Sequence, residues 1–173
     1  MRMKKILQAI DKNGERYLLL PLYAMIVSTI FLEVVRRSVF AYSSIWAEEI
    51  ARYAFIYVAY IGASAAIKER AHIRIDLILH LFSPRMKALV FIFGDIVTLI
   101  LAVLAIYMSM ESVLTSLEFG SVTHGLRISQ AWFLAAVPIG FAMMVFRILQ
   151  SIKRDWSDLR AGRPVFEGNK LFD

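Results

Sequence analysis

The sequence predicts an all-α integral membrane protein of four transmembrane helices with both termini in the cytoplasm. Three observations carry that prediction. Of the 173 residues, 59% are hydrophobic and only 20% charged, a composition too apolar to keep a soluble surface wetted. Most apolar residues fall into four long runs, which leaves little chain for a soluble domain. The 20 lysines and arginines are spread unevenly between the gaps those runs leave.

A hydrocarbon core about 30 Å thick takes roughly 20 helical residues at about 1.5 Å each. The first segment to meet that length is 17–37, with Pro21 in its opening turn, where a missing backbone donor costs least. Glu33 lies near its far end, three and four residues before Arg36 and Arg37, a spacing that predicts a snorkelling ion pair. The segment follows a basic stretch, as a signal peptide would, but it is long and has no small-residue cleavage site before Glu33, so a retained anchor is expected. In the second segment the apolar stretch 53–67 is too short alone, and it spans if the helix starts near Ser44 and runs 44–67. The third, 84–110, opens on a Ser83 cap followed by Pro84 at the first helical position, and it carries Asp95 inside. The fourth, 129–150, contains Pro138 and Gly140, which membrane helices tolerate where neighbours satisfy the freed backbone groups. These four form a single membrane domain over 1–154, followed by a polar cytoplasmic tail, 155–173, expected to be loosely ordered.

Cytoplasmic loops retain lysine and arginine. Sixteen of the 20 basic residues lie before the first segment, between the second and third, or at and beyond the end of the fourth; four, Arg36, Arg37, Arg52 and Arg127, lie on the other side. Both termini and the middle loop are therefore assigned to the cytoplasm, as an even number of crossings requires. The basic residues flank apolar runs and no soluble fold presents them to phosphates, so the formal charge of +6 does not indicate nucleic acid. Cysteine is absent, which excludes disulfides, thiolate ligands and cysteine nucleophiles.

The strongest local signal is Trp46-Ala47-Glu48-Glu49-Ile50-Ala51-Arg52-Tyr53. Glu48 and Glu49 precede Arg52 by four and three residues, so either can pair with it on one helix. Two acids in the opening turns also suit the positive end of the helix dipole, and Trp46 and Tyr53 suit the interfacial aromatic belt. An ordinary helix entrance explains this pattern as well as a partner contact does. Asp95 is a functional candidate because intramembrane carboxylates are costly; a hydrogen bond to a neighbouring helix is the plainer account of a lone acid. Gly62, opening Gly62-Ala63-Ser64-Ala65-Ala66, offers a small-residue face for close helix approach. His72 and Asp76, four apart in the alternating stretch 68–77, suggest an amphipathic interfacial helix and would under-ligate a metal. His80 and His124, like His72, fall in or near loops, where they do not suit haem ligation across facing helices. Neither a nucleophile-and-base set nor a phosphate-cradling glycine loop appears, so neither catalysis nor a cofactor is expected.

Trp46-x-Glu48-Glu49-x-Ala51-Arg52-Tyr53, followed by Gly62 and His72-Ile73-Arg74-Ile75-Asp76, resembles the small membrane subunit of tripartite ATP-independent periplasmic (TRAP) transporters. The four-helix plan and the later Ser129-x-x-Trp132 with Pro138-Ile139-Gly140 extend the resemblance over nearly the whole chain. It implies a bacterial inner-membrane complex. The partners would be a large membrane subunit carrying the sodium and substrate sites and a periplasmic substrate-binding protein delivering an organic acid anion, with a lean toward sialic acid. The small subunit's implied role is to brace the large one. The residues agree independently, since the chain has neither the internal repeat nor the paired helix interruptions of an autonomous transporter. The competing expectation is a small proton-coupled exporter working as a dimer, with Asp95 as its proton site.

Overall fold

The computed structural model describes residues 2–70 and 83–166. It consists of α1 (Arg2–Phe40), α2 (Ile45–Glu69), α3 (Pro84–Glu118), the single turn α4 (Ala131–Leu134) and α5 (Ala136–Ala161). Among the described residues there is no β-strand, only one isolated antiparallel bridge between Val122 and Ser129. Four stretches are long and apolar enough to cross a membrane: Asn13–Phe40, Ile45–Glu69, Arg85–Glu118 and Ala131–Ala161. The all-α, four-span class read from the sequence is the observed one. The expected interfacial helix over 68–77, with His72 and Asp76, falls mostly outside the described residues.

Three helices run past the expected bounds. Residues 2–16 are helical, so Pro21 sits in the interior of α1 and not in its first turn. Similarly, α3 continues to Glu118 and α5 to Ala161, which makes the first part of the expected tail helical. The apolar yardstick measures hydrocarbon thickness, whereas the i to i−4 ladder is indifferent to side-chain polarity and continues into polar surroundings. Both α3 and α5 end on glycines in the left-handed region, Gly120 (φ 58°) and Gly162 (φ 66°). Each terminus closes with a matched pair of hydrogen bonds: Ser121 N to Ser116 O (3.0 Å) with Gly120 N to Leu117 O (3.3 Å), and Arg163 N to Asp158 O (3.0 Å) with Gly162 N to Leu159 O (3.3 Å). This is the Schellman arrangement, in which a residue without Cβ turns the chain back at no steric cost.

At the other end of α3, Ser83 caps the helix through its carbonyl, which accepts from Lys87 N (3.0 Å), and its hydroxyl, 3.4 Å from Met86 N. The last span is broken at Ala135, between α4 and α5. Pro138 accounts for the break: it lacks the N–H that would reach the Leu134 carbonyl, and its ring crowds that oxygen.

The chain forms two compact units, Met1–Gly62 with Ser109–Val137, and Ala63–Met108 with Pro138–Asp173. In the first, α2 buries Ala47, Ala54 and Ile61, two turns apart on one face. In the second, the buried stripe of α5 runs Met144, Ile148, Ser151, Asp155, at helical spacings of four, three and four. Elsewhere large apolar side chains stand exposed, among them Phe31, Ile100 and Tyr107. In water that surface would aggregate, but lipid tails are as apolar as leucine and the same surface is then at rest.

Candidate functional site

In the first unit the entrance of α2 holds a loop. Glu49, Tyr53 and Tyr57 recur every four residues and so share one face of the helix. The Glu49 carboxylate accepts the Tyr53 hydroxyl through Oε1 (2.5 Å) and the backbone N–H groups of Gly125 (2.9 Å) and Leu126 (2.7 Å) through Oε2. Tyr53 stacks obliquely on Phe133 with ring centroids 4.6 Å apart, and the Tyr57 hydroxyl donates to the Trp132 carbonyl at 2.7 Å. Hydrogen bonds to an ionised acceptor are roughly twice as strong as neutral ones, so Glu49 anchors this face. The loop also closes on itself through Thr123 N to Ile128 O (2.9 Å) and Gln130 N to Ser121 O (2.9 Å).

Gly125 makes the close approach possible. A Cβ there would lie 2.7 Å from Glu49 Oε2 and 3.0 Å from both the backbone N and the Cα of Trp46. The last two belong to helix backbone and cannot swing aside.

The other acids of this unit behave differently. Glu33 does not pair directly with Arg36 or Arg37: its carboxylate accepts Ser44 N (2.8 Å) and Ser44 Oγ (2.7 Å), and Arg36 donates to that same hydroxyl at 3.2 Å. The expected ion pair is therefore bridged by a serine, which the connecting turn delivers between the two charges. The Arg36 guanidinium lies 4.9 Å from the Tyr42 ring centre and 5.5 Å from that of Trp46, a cation–π arrangement suited to an interfacial belt. Of the two expected pairings of Arg52, the one with Glu48 forms (2.7 Å), and both side chains are largely exposed. Exposed pairs contribute little, so Glu48→Gln is expected to leave the thermal unfolding temperature in detergent unchanged; a marked drop would show that the pair supports the fold. Around Gly62 an added Cβ would meet no atom of the described residues within 4 Å, its own helix backbone aside.

The second unit contains a buried polar knot that the apolar-run reading missed. Arg70, in the left-handed region (φ 51°) just after α2, ion-pairs with Asp155 and also donates to Ser151 Oγ (3.1 Å) and the Phe166 carbonyl (2.5 Å). Its guanidinium stands over the Phe91 ring at 4.6 Å, and Arg154 over Phe166 at 4.6 Å. Both Arg70 and Asp155 are buried. Asp95 Oδ2 is buried without a hydrogen-bond partner among the described residues, within electrostatic range of Arg154 and Asp155. Two acids and two arginines thus gather in one unit, so Asp95 is not the isolated acid its sequence neighbourhood suggested. The signal that could have found Asp155 is the 144, 148, 151, 155 stripe, which continues past the last apolar residue.

Among the described residues no cluster of three or more histidines and acids could hold a metal ion. A family model described as tripartite ATP-independent periplasmic transporters, DctQ component, matches residues 26–158. The chain belongs to this family. DctQ relatives include the sialic acid TRAP transporter small permease protein SiaQ of Vibrio cholerae, 27% identical over 148 residues, which cover 86% of this chain and 84% of the relative. A putative TRAP transporter small permease protein of Haemophilus influenzae is 27% identical over 154 residues, 89% of this chain and 92% of the relative. The isethionate TRAP transporter permease protein DctMQ of Oleidesulfovibrio alaskensis is 27% identical over 153 residues; the match takes in 85% of this chain but only 24% of that longer protein. The DctQ match runs from within the second half of α1 through most of α5, and so includes both the Glu49 anchor and the Arg70–Asp155 knot.

Proposed function

We propose that this DctQ-family chain braces a large membrane subunit while that partner moves an organic acid anion. The observation that carries the reading is the Glu49 anchor. A carboxylate, two tyrosines and a glycine are used to immobilise a loop against a helix end. Rigidity of that kind suits a scaffold. The much longer DctMQ relative, to which this chain corresponds over about a quarter, supports a large membrane partner. The names of the relatives mention isethionate and sialic acid, both organic acid anions, and we extend that class, with sialic acid as the narrower choice, to this system. The further parts of the reading are delivery by a periplasmic binding protein, sodium-driven uptake, a bacterial inner-membrane location, and both termini in the cytoplasm by the excess of lysine and arginine there. Trp46, Glu48, Arg52, Gly62, His72 and Asp76 remain candidate contacts with the partner.

Co-expression with the large permease subunit tests the proposal. The two should purify together, and uptake in proteoliposomes should require both. Solute transport by this chain alone, abolished by Asp95→Asn, would overturn it in favour of a dimeric exporter, a reading favoured by the Asp95 oxygen that is buried with no hydrogen-bond partner among the described residues.

A further inference from the structure

Within the first unit, α1 and α2 flank a cleft of about 490 Å³, within the roughly 300–1,000 Å³ typical of ligand sites. Its lining is divided by chemistry. Ile26, Ile30 and Phe55 give it an apolar part, and Arg37, Glu48 and Arg52 a charged part. Glu33 also borders it, but Ser44 occupies that carboxylate. Arg37 is exposed and makes no ion pair with another described residue, while the Glu48–Arg52 pair, 2.7 Å long, is exposed, and a carboxylate with about four lone-pair sites keeps capacity for a second donor. The two acids and two arginines of the lining cancel in formal charge. Tyr42 and Trp46, flanking Arg36 nearby, mark the level of a membrane interface.

We infer that this cleft is a binding site for one zwitterionic phospholipid with a primary-amine headgroup. An arginine with no ion-pair partner among the described residues, beside apolar surface at the headgroup level, suits a phosphate, which a planar guanidinium binds in two-pronged fashion. Glu48 lies beside it to accept from the ammonium. The balance of charge disfavours an anionic lipid such as phosphatidylglycerol, which brings the same phosphate but no ammonium to meet Glu48. A quaternary-amine headgroup has the same net charge but no N–H to donate, so it should bind less well. The acyl chain lies against Ile26, Ile30 and Phe55, where a polar occupant would lose hydrogen bonds.

The site does not require the bracing role, although it assigns Glu48 and Arg52 to lipid in place of the large subunit, and its test reads lipid rather than transport. The full-length chain in detergent is titrated with phosphatidylethanolamine, phosphatidylglycerol or phosphatidylcholine, and one-to-one adducts are counted by native mass spectrometry. Phosphatidylethanolamine should be retained best. Arg37→Gln and Glu48→Gln should each reduce its retention about tenfold, the size expected for one charge-assisted contact, with helicity by circular dichroism unchanged. Ala51→Trp, which fills the cleft with apolar bulk, should displace the lipid while leaving both charges in place. Equal retention of the three lipids, or retention indifferent to all three substitutions, overturns the proposal. The chain has no cysteine, so Thr29→Cys with a photoactivatable crosslinker gives a single probe inside the cleft. In the assembled complex it should label lipid; labelling of the large subunit instead would overturn the assignment by showing a protein helix in the cleft.

Discussion

Asp155→Ala should destabilise the chain by about 3–5 kcal/mol, the usual cost of removing one partner from a buried ion pair. The magnitude follows from what is left behind. Arg70 would keep Ser151 Oγ, the Phe166 carbonyl and the face of Phe91, none of which carries a formal charge. A guanidinium whose side chain is 3% exposed is shielded from bulk solvent, so its charge is left without its buried counter-ion. Apparent Tm in detergent should fall steeply, and Asp155→Asn should fall less because the amide oxygen can still accept. The double variant Arg70→Met with Asp155→Leu provides the sharper measurement. Replacing a whole buried pair by apolar groups of similar volume is often neutral or stabilising, so the double variant should recover most of the loss. A double variant as poor as Asp155→Ala alone would mean that the knot's residual hydrogen bonds, rather than its charge balance, hold this unit.

The same knot marks the boundary of what the sequence reveals. Four spans could be read because hydrocarbon thickness fixes the number of apolar residues a crossing needs, and nothing but the runs themselves has to be known. Helix ends were not legible by that criterion. Residues 2–16, 111–118 and 155–161 are polar enough to leave the apolar runs yet continue the helical ladder. Asp155 was lost with them, although it lies on the buried stripe of Met144, Ile148 and Ser151. At the α2 entrance, spacing alone offered Arg52 two acids, and only the loop decided between them. Gly125 and Leu126 lie 76 and 77 residues from Glu49 in the chain, and once they claim its carboxylate, Glu48 is left for Arg52. Local periodicity identifies which residues share a face, but a contact made by a backbone amide that far away leaves no trace in the pattern. Glu33 shows the same limit at short range, because Ser44 intervenes through a turn whose geometry the i, i+4 rule does not describe.

Gly125→Ala should be the most damaging single-methyl change in the first unit, at about 1–3 kcal/mol, the cost of overpacking a close contact. The added carbon meets Glu49 Oε2 at 2.7 Å, which a flexible carboxylate could relieve by rotating. It also meets the backbone N and Cα of Trp46 at 3.0 Å, and α2 cannot yield there without losing its first turn. The loop must lift instead, and both amides then leave Glu49. Two readouts separate this from general unfolding: the Leu126 amide should lose its protection from hydrogen exchange, while amides in the middle of α3 keep theirs. Glu49→Gln supplies the contrast. Its amide oxygen can still accept from Gly125 and Leu126 while its NH2 donates to the Tyr53 hydroxyl, so the loop should stay seated at reduced strength. Glu49→Lys places a donor against two donors and should release the loop as Gly125→Ala does. If the anchored loop serves the brace, co-purification of the large subunit should follow the same order, intact with glutamine and lost with lysine or with alanine at 125. Full co-purification with a released loop would separate the anchor from assembly and leave it a purely internal fastening.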